Sequence, residues 1–576
     1  MPHTNKLINY LLIFSIFLYF LSFIIHPITA VTQDLGRHLK VGEIILKTGS
    51  VPKTNLLTYT YTDFPFINHH WLSEAVFFVT FQVGNFGLLL FCKILLMLGT
   101  FGLIFWLALK KSSLLTASLF SFIFLAVFQE RTELRPEVLS FLFFATYLFI
   151  INGSLSRRTL RERPTQNAPG KIGLLSLLWL LPLIQVFWVN SHIYFFVGPI
   201  LYLFFVIHLL ITQKFKLSKT VIAVGVLIIL ANFINPNGIN GAVYPLKVFE
   251  NYGYQIVENK TPFFLEQYFG ITNRTILFFK ISLGLLIVSF IVNFKKINCF
   301  IRYSTVPYFN LLTSIFLSFM AIKAVRNFPL FALGTLPIVC QNYQLLFEKL
   351  TKKCLSKKNN IFDIFKIILI FVYLWQSSIF ITNGWCKSRN SNKCFGWGIV
   401  DGPQKAGDFV VDNKISGPVF NNFDAGSFLE YRIWPEKAFI DGRPEAFPAN
   451  FFSRVYIPMQ EKPEVWEKKA EEYDFNYIFF SHTDQTPWGQ VFLKNISQNK
   501  KWTMVYLNDR VVIYLKNNEK NQEIIDKFEL TPKNAVLKTF PEGKDYLYFL
   551  RLARFFDLIG WQEASQLSFQ KSQVLK

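Results

Sequence analysis

Long apolar runs, almost free of charge, recur from Leu7 to Thr382, and they limit the fold more than any other feature of the chain. A hydrocarbon layer about 30 Å thick is crossed by about 20 helical residues. Runs near that length fall at 7–30, 86–109, 112–128, 138–152, 172–190, 194–212, 219–234, 275–293, 304–322, 328–347 and 362–382. In lipid, each backbone donor and acceptor must be satisfied inside the segment, so each run reads as a helix. Of 576 residues, 52% are hydrophobic and 66 are Phe, too apolar for a soluble chain of this size. The expected fold class is a polytopic α-helical membrane protein of about 11 transmembrane helices.

The net charge of +22 invites a nucleic-acid reading, but its placement argues against one. The excess lies in alternate short loops: Lys110 and Lys111, Arg157 to Arg163 with Lys171, Lys214 to Lys219, Lys295 to Arg302, and Lys349 to Lys358. Such loops stay in the cytoplasm. This predicts a cytoplasmic N-terminus in a bacterial inner membrane, with residues 383–576 and the loop 31–70 outside. The first run is longer than a signal-peptide core and is expected to be retained. No HExxH, CxxC, phosphate-loop or dinucleotide glycine motif occurs, which argues against zinc proteases, ATPases and nicotinamide enzymes.

Residues 1–382 are expected to form the membrane domain. Residues 383–520 change to short alternating pieces, Gly417 to Phe420, Lys437 to Ile440, Asn476 to Phe480 and Trp502 to Leu515, with a helix near 464–473. That alternation predicts a small external α/β domain. Residues 521–576 read as helical. Leu550 to Gln570 is similar to one tetratricopeptide hairpin, which needs about three units to stand alone, so packing on the α/β domain is expected. Cys386 and Cys394 lie close together in a polar stretch, either as a disulfide or as two thiols.

Ionisable residues gather on the outer side. The loop after the first span holds Asp34, Arg37, His38, Glu43, Asn68, His69 and His70. Residues 71–85 read as an amphipathic piece at the membrane interface, led by Trp71. Later outer loops carry Glu130, Arg131, Arg135 and Glu137, then His192, then Glu258, then Lys323 and Arg326. Charge at a membrane boundary marks functional residues. Cations on this side are not required by topology, so Lys323 and Arg326 are candidates for holding an anionic head group.

A first helix entering from the cytoplasm, then an outer loop that opens with Asp34 and His38 and runs on through Gly42-Glu43-Ile44-Ile45-Leu46, resembles the GT-C integral-membrane glycosyltransferases. That resemblance implies a polyprenyl-phosphate-linked sugar donor, membrane lipid around it, and a catalytic acid in the first outer loop. In the external domain, Asn421 to Leu429 followed by Ile440 to Arg443 is similar to a degenerate oligosaccharyltransferase stretch. Only Asp424, Gly426 and Asp441 carry over, and the missing tryptophans leave a glycosylation sequon unimplied.

Transfer from such a donor needs a base for the acceptor and cations for the departing phosphate. Asp34 is the expected base. His38, Arg131, Arg135, Lys323 and Arg326 are expected near phosphate, Glu130 or Glu137 as a second acid, and His192, Asp424 and Asp441 near substrate. A divalent metal is doubtful, because Leu35 follows Asp34 where a second carboxylate suits a hard cation. A flippase for lipid-linked saccharide, or a non-catalytic assembly protein, remains open at this stage.

Overall fold

The computed structural model describes residues 2–29, 34–155, 177–212, 217–248, 250, 252–269, 273–300, 308–354, 359–390, 394–400 and 402–576. The basic positions Arg157 to Arg163, Lys171, Lys214, Lys216 and Arg302 lie outside the described residues. Among those described, seven helices are long and apolar enough to cross a membrane. Four shorter apolar helices, Leu114–Phe128, Leu180–Ser191, Lys219–Ala231 and Tyr308–Lys323, fall at the remaining sites where sequence predicts spans. The chain is thus a polytopic helical membrane protein with a further domain outside the bundle.

One helix departs from its sequence-based bounds. Trp71–Lys111 is 41 residues long. At 1.5 Å per residue it would extend about 60 Å, twice the hydrocarbon thickness. It bends at Gly84 and Asn85, which leave helical geometry. Asn85 takes a positive φ of 52°, tolerated by the short polar Asn side chain. The predicted boundary after residue 85 therefore marks this kink. The piece before it, read as interfacial, instead packs its Ser73 and Glu74 inside the protein.

Contacts from both the bundle and the further domain fix the loop after the first helix. Lys93, buried within the bundle, donates to the Ile24 carbonyl at 2.6 Å, satisfying a bare C-terminal carbonyl of the first helix. His26 Nε2 lies 3.1 Å from the Thr132 carbonyl, tying that helix end to the 129–136 loop. The helix Leu35–Thr48 then wedges between the bundle and the external domain. A Cβ on Gly42 would meet the Glu74 carbonyl at 2.1 Å, and one on Gly36 would meet the Ser427 carbonyl at 2.7 Å. Backbone cannot yield as a side chain does. Gly36→Val is expected to destabilise the chain by about 1–3 kcal/mol, read as a lower melting temperature of purified protein. A melting temperature equal to wild type would contradict this close packing.

The external domain carries a four-stranded sheet in the order β1-β2-β4-β3. Strand β1 (Val419–Asn421) runs parallel to β2 (Tyr477–Ser481), and β4 (Val511–Lys516) pairs antiparallel with both β2 and β3 (Trp502–Leu507). All residues of β1 and β2 are buried, so they read as continuous apolar runs rather than alternation. The expected strand at Lys437 to Ile440 is not in this sheet. Ala438 instead bridges Thr58 of the loop after the first helix. Asn55 Nδ2 to the Ala446 carbonyl, Tyr59 Oη to the Val419 carbonyl and Thr60 Oγ1 to the Phe439 carbonyl add to this seam, at 3.1, 2.7 and 2.8 Å.

The C-terminal helices Tyr546–Leu558 and Gln562–Leu575 pack on each other. Phe549, Leu552, Phe556 and Ala564 join the sheet domain's core rather than a separate one. Cys386 and Cys394 are joined as a disulfide.

Candidate active site

Asp34 stands immediately before the Leu35–Thr48 helix. Such a position suits a capping carboxylate, but Asp34 takes a left-handed φ of 53° and makes no side-chain cap bond. Its carboxylate turns toward the external domain instead. Ser427 Oγ donates to Asp34 Oδ1 at 2.9 Å, and the Gly442 amide donates to Ser427 Oγ at 3.2 Å. Since that amide occupies an Oγ lone pair, the hydroxyl proton is free to point at Asp34. Asp34 Oδ2 faces Arg135 Nη1 at 4.0 Å, with the side chain 25% exposed.

The 129–136 loop and the Val325–Asn327 turn supply the cations, and the Val257–Asn259 turn supplies an acid between them. Arg131 donates to both oxygens of Glu137 from Nε and Nη2, at 2.8 and 3.0 Å. Its Nη1 pairs with Glu258, whose other oxygen is 3.6 Å from Arg135 Nη2. Burial acts to raise the Glu258 pKa, yet Arg131, Arg135 and Arg326 outweigh it and hold the carboxyl well below the usual range. Arg326 donates to Asn259 Oδ1 at 2.9 Å, beside Glu258. Of the predicted residues, Asp34, Arg131, Arg135, Glu137 and Arg326 thus meet in one network, and Glu258 is its unassigned member. Glu137 clamps Arg131 and is buried, so it anchors the arginine. Glu130 is half-buried on the same loop.

A second polar layer lies beneath. His38 Nδ1 is 2.9 Å from Glu74 Oε1, Arg37 Nη1 donates to the same oxygen at 3.4 Å, and Asn68 Nδ2 donates to Glu74 Oε2 at 2.6 Å. Glu74 has no exposed side-chain surface. Burial, then Arg37, lowers the His38 pKa against the pull of Glu74, and the ring is engaged by Glu74. The rings of His38 and His70, and of His70 and His192, follow at 5.5 Å centroid spacing. His192, expected near substrate, is buried with Nδ1 3.1 Å from Ser140 Oγ. The sequence reading passed over Glu74 although an acid inside an apolar helix is itself a signal.

The external-domain carboxylates divide. Asp441 is fully buried. Arg443 Nε donates to its two oxygens at 3.0 and 2.9 Å. Asp441, expected near substrate, is enclosed by burial and by the Arg443 clamp. Arg443 also donates to Asn55 Oδ1 at 2.7 Å and stacks over Phe66, so this pair anchors the first outer loop. Burial and neighbouring Asp441 push the Glu430 carboxyl well above the usual carboxylate range. Lys323 is exposed, over the Phe319 ring at 5.6 Å, and no contact described here joins it to the arginines.

Asp424 is exposed in the first turn of the Phe423–Ile433 helix. The protein packed around it, then Asp484 and Asp34, push its carboxyl pKa upward, a push that water screens at an exposed side chain.

Among the described residues, no group of three or more His, Cys, Asp and Glu side chains converges as a metal site. No protein-family model matches the sequence, and none of the curated proteins matches it. Solved structures do. An archaeal oligosaccharyltransferase, AglB from Archaeoglobus fulgidus, in complex with an inhibitory peptide and a dolichol-phosphate, aligns with TM-score 0.55 and 10% identity, over 99% of this chain and 86% of that one. Its apo form aligns with TM-score 0.57 and 12% identity, over 84% and 70%. ArnT from Cupriavidus metallidurans bound to undecaprenyl phosphate aligns over 88% and 97% at 13% identity, with a TM-score of 0.45 that adds nothing to the assignment. The likeness shows the fold. The chain shares with that archaeal structure a helical bundle followed by a domain outside it.

Proposed function

We propose that the chain is a membrane glycosyltransferase. It moves a sugar from a polyprenyl-phosphate-linked donor to an acceptor at the outer face of the cytoplasmic membrane, with Asp34 as general base. One observation carries the reading: Asp34 is seated between Ser427 and Arg135, at the junction of bundle and external domain, within a GT-C fold.

The acceptor hydroxyl or amide approaches the anomeric carbon from the Asp34 side. The bond from acceptor to C1 forms, the bond from C1 to the phosphate oxygen breaks, and that oxygen keeps the electron pair. The acceptor proton passes to Asp34, a transfer worth about 10²–10⁴-fold in rate. Ser427 orients the carboxylate while Oδ2 remains open toward Arg135. Arg131 and Arg135 neutralise the leaving phosphate, with Arg326 behind them. Asp424 lines the acceptor side of the cleft.

AglB was solved with a dolichol-phosphate, which supports the lipid class of the donor. The test is turnover by the full chain in lipid nanodiscs, supplied with polyprenyl-phosphate sugars and extracts of outer-membrane-facing acceptors. Release of polyprenyl phosphate matched to a glycosylated product supports the reading. Donor translocation across vesicles without any glycosyl product would replace it with the flippase.

A further inference from the structure

The chain's own carboxylates already engage Arg131 and Arg135. Arg131 is pinned through Nε and Nη2 by Glu137, so Nη1 is the donor it gives to Glu258. Glu258 uses both oxygens, one on Arg131 and one toward Arg135. A phosphate makes the same demand on guanidinium groups. The guanidiniums of Arg131 and Arg135 already face the carboxylates of Glu137, Glu258 and Asp34, with Glu133 also near Arg131. A phosphate added to this set would leave a surplus of negative charge in a partly buried site, which is costly.

We infer that the Arg131–Arg135 pocket is a phosphate site filled in this structure by the chain's own Glu258 carboxylate, which a lipid-linked phosphate displaces on binding. This rests on the transferase reading above. The two carboxylates on Arg131 differ in how they are held. Glu137 is 2% exposed and begins a membrane helix. Glu258 is 33% exposed and rides on the single short turn Val257–Asn259, so its side chain can leave toward water without unwinding a helix. The turn itself stays fastened, by the Val325 amide to the Lys260 carbonyl at 3.2 Å and by Arg326 to Asn259. Because its pKa is depressed, Glu258 does not leave by protonation near neutral pH. An anion has to compete for its place.

The test is binding of undecaprenyl phosphate to the full chain in nanodiscs. Glu258→Gln is expected to bind it more tightly than wild type, by roughly tenfold, the scale of coupling between competing ligands. Glu266→Gln, which breaks the pair with Lys280 on the same loop, is expected to leave affinity unchanged. As a second readout, inorganic diphosphate should raise the melting temperature of Glu258→Gln by more than it raises that of wild type. If Glu258→Gln binds no tighter while Arg135→Ala loses binding, the displacement is wrong and the phosphate site stands. If neither wild type nor Glu258→Gln binds polyprenyl phosphate, the transferase reading falls and this inference with it.

Discussion

Asp34→Asn is expected to lower glycosyl transfer by about 10²–10⁴-fold, the contribution of a positioned base, while donor binding is kept. The amide retains the size of the carboxylate and can still accept from Ser427, whose hydroxyl lies 2.9 Å away. It cannot take the acceptor's proton. The loss should therefore fall on kcat, with little change in KM for the donor. Ser427→Ala should give a smaller loss, because Asp34 keeps its charge and only its aim is relaxed. Full transfer by Asp34→Asn would remove Asp34 from the chemistry. A loss of donor binding instead would mean that Asp34 arranges Arg135.

Glu137→Ala is expected to destabilise the chain by about 1–3 kcal/mol, the cost of leaving buried guanidinium donors unbonded, because Glu258 still faces the Arg131 charge. Arg131 would lose both of its charge-assisted bonds to Glu137 while staying 4% exposed. The same pair replaced by Met and Leu together should cost less than the sum of the single changes, since Glu258 keeps Arg135. Melting curves of the two single variants and the double variant measure this directly. Additive losses would show that the pair contributes by packing alone. Glu258, a third exposed, should cost much less stability on removal.

The spans were legible because hydropathy is a local property and lipid enforces it. Strands β1 to β4 were legible for a related reason: each is a short apolar or alternating run closed by turn residues. Lys437 to Ile440 looked the same and still went elsewhere. Its partner is Thr58, 380 positions away along the chain, and no local pattern records such a choice. The site divides in the same way. Asp34, Arg131, Arg135 and Arg326 could be picked out because charge at a membrane boundary is unusual. Ser427 and Gly442 are ordinary residue types, and only the fold sets them against Asp34. Glu258 was visible as an outer-loop acid, but its claim on two arginines is a fact of three dimensions. Asp441 was legible as a motif residue, but its burial against Arg443 is set by the fold.

The most direct measurement is an experimental structure of the full chain in lipid with a polyprenyl phosphate bound. The phosphate should lie within hydrogen-bonding distance of Arg131 and Arg135, with Asp34 on the side that opens toward Ser427 and Asp424. A phosphate seated at the cytoplasmic side, or held by residues that do not include Arg131 or Arg135, would contradict the proposed active site.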